Sequence, residues 1–173
     1  EMKVKLAEGI KLLTLTNVAF IVIPCNVVHK YYAFMQNLTK IPVLNIVDIT
    51  ISNLTNRSLH SIVALIATNP TIESNLYQNR INSEKISFFH NNELQDKVII
   101  LLTELKVFKL SNAAIALWGE LINYLELQCC THAVIACTDI SICINLRETN
   151  IQFIDSNDLL AKATIQRYLE LKK

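Results

Sequence analysis

Short, continuous apolar runs alternate along this chain with longer stretches in which apolar residues recur every three or four positions. The short runs lack polar alternation, which is typical of parallel strands buried on both faces, and the longer pattern is typical of amphipathic helices. The sequence therefore predicts an α/β fold with parallel sheets. The predicted strands cover residues 18–23, 43–47, 61–67, 86–89, 133–136 and 152–154. The predicted helices cover residues 3–14, 27–37, 71–81, 93–106, 112–127 and 158–171. Ser111 is the expected N-cap of the fifth helix, and Ser156 or Asn157 that of the last.

The composition excludes several classes of protein. Of the 173 residues, 51% are apolar and 18% are charged, which rules out a disordered chain or a coiled coil. Sixteen basic and fifteen acidic residues give a net charge of +1, and no basic cluster is present, so we expect no nucleic-acid partner. The two glycines are too few for phosphate-binding or dinucleotide-binding loops.

The sequence also argues against a membrane or secreted protein. The longest uncharged stretch, residues 12–29, contains Pro24 and Asn26 among several polar residues, which is unlike a membrane span. Five unevenly spaced cysteines do not form a disulfide framework. The spacing of Cys129, Cys130 and His132 matches no standard zinc pattern. We therefore expect a cytoplasmic protein with no membrane partner and no metal.

Two cysteines occupy similar positions in the predicted fold. Cys25 and Cys137 each follow a buried apolar run directly and precede a helical or turn segment. In an open parallel sheet, ligands bind outside the carboxyl ends of the strands, and a helix N-terminus lowers the pKa of a thiol. A single cysteine at such a position is usually a packing residue, but two of them predict a chemical site.

The segments around these cysteines resemble a known family. In order and spacing, IPCNVVHK, IPVLNIVD, ATNPTIESNLYQNRI, NELQDKVIILLTELK, HAVIACTDISI and FIDSNDLLAKATI are similar to the aspartate/glutamate racemase superfamily, and most similar to its aspartate racemase branch. The family's Cys-Asn-Thr element matches residues 25–27, and its Cys-Thr-Glu element matches residues 137–139.

The resemblance implies a cofactor-independent amino-acid racemase. In the family mechanism two cysteines lie on opposite faces of the substrate α-carbon, one removing the α-proton and the other returning a proton, which assigns the catalytic roles to Cys25 and Cys137. The resemblance also implies a small-molecule amino acid as substrate, aspartate-like as the best guess. The positions that match the family's substrate-binding residues are Asn26, Val27, Thr68, Thr71, Thr138 and Asp139.

The resemblance further implies a two-lobed architecture. We expect residues 1–49 and 150–173 to form the first lobe, which would contain the strands at 18–23, 43–47 and 152–154, and residues 50–149 to form the second. The family's N-terminal strand and glycine-rich loop are not in this sequence, so we expect the first lobe to be incomplete, with an exposed sheet edge. A homodimer, which the family leads us to expect, would cover that edge.

The sequence departs from the family pattern at three site positions. Val27 replaces a threonine, Pro70 replaces a glycine and removes a backbone N–H, and Asp139 replaces a glutamate. These departures favour an alternative, a catalytically inactive racemase-fold remnant that serves as a binding or assembly module. A third reading keeps the fold and changes the reaction, as in hydantoin racemases, maleate isomerases and arylmalonate decarboxylases. The last of these resemble a one-cysteine variant, and the presence of both cysteines argues against them.

Overall fold

The computed structural model of this protein describes residues 1–55, 61–81 and 86–173. The first part contains α1 (Met2–Leu15), β1 (Ile21–Val22), α2 (Tyr32–Asn37), β2 (Val43–Leu44) and α3 (Ile46–Thr55). The rest contains β3 (Ser61–Ala67), α4 (Asn69–Glu73), β4 (Ile86–Phe89), α5 (Asn92–Phe108), α6 (Asn112–Leu127), β5 (His132–Ala136), β6 (Gln152–Asp155) and α7 (Ser156–Glu170). Short 3-10 turns lie at Val27–Tyr31, Gln78–Arg80 and Ser141–Cys143.

The larger sheet has four parallel strands in the order β4-β3-β5-β6. The two central strands pair over five positions, ending with Ala67 opposite Ala136. All four strands run in the same direction, so their carboxyl ends lie at one edge of the sheet. The α/β class with parallel strands that the sequence predicted is confirmed.

Successive residues of the central strands point to opposite faces, and both faces are covered. Ala64 and Ile66 of β3 belong to a buried cluster with residues of α5 and α6. Val63 and Leu65 belong to a second buried cluster with residues of α3 and α7. Burial on both faces explains why β3 is an almost uninterrupted apolar run.

A smaller parallel sheet pairs β1 with β2, with Ile21 opposite Val43. Both residues are buried with Ile10 of α1 and Met35 of α2 in a cluster of their own. This unit carries Cys25, which lies three residues beyond the end of β1.

One predicted strand pairs with a different sheet from the one expected. We expected residues 152–154 in the first lobe beside the strands at 18–23 and 43–47, and this placement is wrong. The strand β6 is hydrogen-bonded to β5, with Val134 opposite Ile154, because its apolar residue Ile154 is buried in the cluster under α3 and α7. The boundary between the two lobes remains a prediction, since residues 56–58 of the polar stretch expected there lie outside the described residues.

Four other elements are shorter than predicted. The strand predicted at 18–23 covers only Ile21–Val22, and the helix predicted at 27–37 begins at Tyr32, after a 3-10 turn. The other two are shorter for local reasons that the structure shows. The strand predicted at 43–47 ends at Leu44, because the Asn45 side chain accepts hydrogen bonds from the N–H groups of Val47 and Asp48 and starts α3. The helix predicted at 71–81 is broken after Glu73, where Asn75 has a φ of 50°. Asparagine tolerates this left-handed conformation better than most residues, but no helix continues through it.

The predicted caps had different outcomes. Ser111 accepts a hydrogen bond from the Ala114 N–H at the start of α6, as expected. The last helix begins at Ser156, and its cap is Asp155, whose carboxylate accepts from the Asn157 N–H. Our prediction of Ser156 or Asn157 as that cap is wrong, and the hydroxyl of Ser156 is used elsewhere.

Candidate functional site

Several of the predicted site residues lie at the carboxyl edge of the four-stranded sheet. Thr68 directly follows β3 and Cys137 directly follows β5, and the last residues of these two strands are register partners. The two residues therefore leave neighbouring strands at the same level. This edge is where open parallel sheets bind ligands.

The loop after β1 is tied to the same edge by buried hydrogen bonds. Asn26, the neighbour of Cys25, is 4% exposed, and its Nδ2 donates to the Ser156 hydroxyl at 3.0 Å. The Ser156 hydroxyl in turn donates to the carbonyl oxygen of Ile135 at 2.8 Å. Ile135 lies in β5, two residues before Cys137, so this path connects the backbone segments that carry the two cysteines.

The Cys25 loop is held from its other side by His29. The Nδ1 atom of the buried imidazole lies 2.9 Å from the Cys25 carbonyl oxygen, and Nε2 lies 3.3 Å from the Leu44 carbonyl oxygen at the end of β2. Burial lowers the pKa of His29 below its usual value, against the opposing effect of these two backbone hydrogen bonds. The neutral imidazole has one N–H and donates to either the Cys25 or the Leu44 carbonyl, whichever its tautomer selects. The side chain of Cys25 is half-buried, and its thiol is free.

The environment of Cys137 favours the protonated thiol. This cysteine is buried and free, and burial raises its pKa. Hydrogen bonds from the N–H groups of Asp139 and Ile140 and the charge of Lys106 act in the opposite direction, and the Asp139 carboxylate raises the pKa further. Desolvation is the largest of these effects.

Two threonines lie close together beside the loop of Cys25. The hydroxyl oxygens of Thr68 and Thr71 are 3.2 Å apart, and α4, which contains Thr71, packs against the 3-10 turn at Val27–Tyr31. Val27, the first residue of that turn, is half-buried and contributes no hydroxyl. The structure thus brings Asn26, Val27, Thr68 and Thr71 into one region.

Thr138 and Asp139 lie on the outer side of the Cys137 loop. Both are exposed and line a surface cavity of about 280 Å³ together with Lys106 and Lys109 from the end of α5. The side chains of Asn26 and Thr71 are hydrogen-bonded to other partners, Ser156, Tyr77 and Thr68. Two lysines therefore lie beside the segment that follows Cys137. The sequence alone did not predict this proximity.

The other three cysteines lie outside the two segments, residues 25–27 and 137–139, that match the family motifs. Burial raises the pKa of Cys130 and of Cys143 to about 11, and both pack in the cluster under α5 and α6. Cys129 is exposed at the end of α6. Across the described residues, no group of three His, Cys, Asp or Glu side chains is arranged to hold a metal ion.

Sequence reasoning missed two residues of the site. Tyr77 is fully buried, and its hydroxyl donates to Oδ1 of Asn26. Ser156 was considered only as a helix cap. The sequence contained one indication of a role for Tyr77, namely its place in a segment that resembles the family. Its spacing in an apolar pattern, however, is typical of a core residue.

Comparison with known proteins identifies the family. The Asp/Glu/hydantoin racemase family matches residues 2–164. The chain belongs to this family. It is 33% identical over 169 residues to the broad specificity amino-acid racemase RacX of Bacillus subtilis (strain 168), a match that covers 98% of this chain and 73% of RacX. The superfamily expected from the sequence is therefore confirmed.

Solved structures of racemases have the same fold. The aspartate racemase of Picrophilus torridus superposes with a TM-score of 0.80 at 28% identity, over 92% of this chain and 66% of that one. A glutamate racemase of Francisella tularensis gives a TM-score of 0.75 at 22% identity, over 98% of this chain and 66% of that one, a likeness of fold. The chain thus spans just under two thirds of the length of these solved relatives. None of the helices in the described part of the chain is long and apolar enough to cross a membrane.

Proposed function

We propose that this chain carries the two-cysteine centre of a cofactor-independent amino-acid racemase, with Cys25 and Cys137 on opposite faces of the substrate α-carbon. One observation carries the proposal. Asn26, next to Cys25, is hydrogen-bonded through the Ser156 hydroxyl to the strand that Cys137 directly follows. This link between the two segments, each of which carries a free cysteine, supports the proposal.

The proposed reaction needs one cysteine as thiolate and the other as thiol. The Cys25 thiolate takes the α-proton, the electron pair of the C–H bond remains on the α-carbon, and the Cys137 thiol donates its proton to the opposite face. Burial of Cys137 supports its role as the initial donor, because it raises the pKa and keeps the thiol protonated. The reaction of the opposite enantiomer exchanges the two roles.

Substrate binding in this proposal uses donors on both sides of the α-carbon. The paired hydroxyls of Thr68 and Thr71 would contact the α-carboxylate, with Asn26 and Val27 forming the adjacent wall, and hydrogen bonds there stabilise the charge that develops during proton removal. We propose an acidic, aspartate-like substrate, on the basis of the motif resemblance to the aspartate racemase branch and of the 28% identity to the aspartate racemase of Picrophilus torridus. The relative RacX is described as broad in specificity, so neutral amino acids belong in the test.

The experiment is α-proton exchange followed by NMR in D₂O. L-aspartate, L-glutamate and several neutral amino acids are incubated with the chain and with its Cys25→Ser and Cys137→Ser variants, and chiral chromatography measures inversion. We expect exchange and inversion with the parent chain and loss of inversion in both variants. The Cys129→Ser variant is the matched control, because Cys129 is exposed and lies at the end of α6.

A second candidate is an inactive racemase fold that acts as a binding or assembly module. The observation that favours it is the use of the Asn26 amide by Ser156 and Tyr77, together with the missing hydroxyl at Val27, which leaves fewer donors for a substrate carboxylate. A folded chain that exchanges no α-proton from any of these amino acids would support this candidate and contradict the racemase. The homodimer and the cytoplasmic location expected from the sequence remain proposals.

A further inference from the structure

A buried polar joint links the Cys25 loop to the four-stranded sheet. Four groups form it in a directional series. The Tyr77 hydroxyl donates to Oδ1 of Asn26, Nδ2 of Asn26 donates to Ser156, and the Ser156 hydroxyl donates to the Ile135 carbonyl. The partners of Asn26 are 51 and 130 residues away in sequence, so the joint connects parts of the chain that no local structure holds together.

The joint fixes the orientation of the Asn26 amide. Asn26 lies at the N-cap position of the 3-10 turn that follows Cys25, yet its side chain makes no capping hydrogen bond there. Its oxygen must face a donor and its nitrogen an acceptor. Tyr77 supplies the donor, because burial raises its pKa and keeps the phenol protonated. The Ser156 hydroxyl is the acceptor, and it donates in turn to the Ile135 carbonyl of β5.

Tyr77 is itself held rigidly. Its side chain is fully buried, and its ring packs edge-on against Phe88 of β4, with the ring centroids 6.2 Å apart. Tyr77 lies just before the 3-10 turn at Gln78–Arg80, and the packing of its ring against β4 fixes the position of its hydroxyl. Loss of the hydroxyl alone, as in Tyr77→Phe, would leave this packing in place.

We infer that Tyr77 and Ser156 are positioning residues that act through Asn26 to hold the Cys25 loop in place relative to Cys137. As a statement about catalysis, this inference rests on the proposed racemase function. Transfer of a proton at both faces of one carbon requires both thiols in place at once, and a displacement of about 1 Å can reduce a rate by about 100-fold. Exchange at a single face needs only the thiol that acts as base. Displacement of the Cys25 loop should therefore reduce inversion more than exchange for the enantiomer whose α-proton Cys137 removes, and reduce both together for the other enantiomer.

The first test measures the Cys25 loop without any substrate. The folded chain is alkylated with iodoacetamide, and mass spectrometry gives the rate at Cys25 relative to that at exposed Cys129 in the same sample. We expect this ratio to change by about threefold or more in Tyr77→Phe and in Ser156→Ala, in line with the loss of about one hydrogen bond. Two variants are used so that a folding defect in one does not prevent the measurement.

The matched control is Tyr124→Phe. The Tyr124 hydroxyl also bonds an asparagine, Asn91, but it does so between α6 and the start of α5. This variant should lower stability to a similar extent and leave the Cys25 ratio unchanged. An unchanged ratio in folded Tyr77→Phe and Ser156→Ala, or an equal change in Tyr124→Phe, overturns the inference.

The second test uses NMR exchange and chiral chromatography on the same variants. With the enantiomer whose α-proton Cys137 removes, we expect inversion to fall about 10-fold more than α-proton exchange in Tyr77→Phe. With the other enantiomer both rates should fall together, and in Tyr124→Phe both should stay near those of the parent chain. An equal fall of exchange and inversion with both enantiomers would contradict a positioning role. If the parent chain shows no exchange, the proposed function fails, whereas the alkylation ratios still decide whether Tyr77 and Ser156 hold the loop.

Discussion

Removal of the Asn26 side chain distinguishes a structural joint from an exposed substrate ligand. Asn26→Ala deletes two buried hydrogen bonds, one with Tyr77 and one with Ser156. Each is worth about 1 kcal/mol, and a buried group left without a partner costs about 1–3 kcal/mol more. Tyr77 also interacts with Thr50 and Ser156, and this alternative pairing should limit the loss. We expect a decrease of about 2–3 kcal/mol in the free energy of unfolding.

Urea denaturation measures this loss. With a slope of about 2 kcal/mol per M, the transition midpoint should fall by about 1 M. The control is Asn145→Ala at an exposed asparagine, for which a change within about 0.5 kcal/mol is expected. The double variant with Tyr77→Phe should be less destabilised than the sum of the single variants by about 1 kcal/mol, because both remove the same hydrogen bond.

The reasoning is refuted if Asn26→Ala costs less than about 0.5 kcal/mol. Such a result would mean that the amide faces an open cleft, as the family resemblance implies for a substrate ligand. Full additivity with Tyr77→Phe would also contradict the joint, because it would show that the two side chains do not share a contact. A large decrease in the free energy of unfolding that is not additive with that of Tyr77→Phe would support the joint.

Two further predictions concern pH and the central strand. Burial lowers the pKa of His29 in the folded chain, with Arg80 also lowering it and Asp48 raising it. The unfolded chain therefore binds a proton that the folded chain does not, so stability should be full above pH 6.5, the ordinary pKa, and fall as the pH drops below it. Urea midpoints at pH 7.5 and pH 5 (about 2.5 units apart, chosen to bracket that pKa) should differ more for the parent chain than for His29→Gln, and equal differences would contradict this. Leu65→Ala in β3, where the side chain is 0% exposed, should cost about 3–5 kcal/mol, whereas Ile62→Ala at 43% exposure should cost less than about 1.5 kcal/mol; similar losses on urea denaturation would mean that β3 is not a buried central strand.

The elements that the sequence predicted best are those whose stability is local or whose environment is uniform. The strands at Ser61–Ala67 and Ile86–Phe89 have the predicted bounds, and α6 begins and ends where expected, after the cap at Ser111. The central strand β3 is buried on both faces and is almost entirely apolar, and the capped amphipathic helix α6 has a clear period, so both patterns can be recognised in a single sequence.

The placement of β6 could not be obtained in the same way. The pattern of residues 152–154 predicts a strand. It does not predict which sheet the strand joins, because the pairing depends on packing with residues that are distant in sequence. Phe153 faces Trp118 of α6, with ring centroids 5.4 Å apart, and Ile154 is buried under α3 and α7. Both contacts place β6 beside β5, and neither has a local signature.

The same distinction separates the residues of the candidate site. The positions of Cys25 and Cys137 could be predicted, since each directly follows an apolar run and matches a short motif. The surroundings of Asn26 could not, because its partners Tyr77 and Ser156 come from distant segments. A motif therefore specifies which side chain is present, whereas the partners of that side chain decide whether it is free to bind substrate. For Asn26 the motif predicts a substrate ligand, whereas its hydrogen bonds indicate a structural role. The free energy of unfolding of Asn26→Ala and its rate of α-proton exchange will together show which role the amide has in this chain.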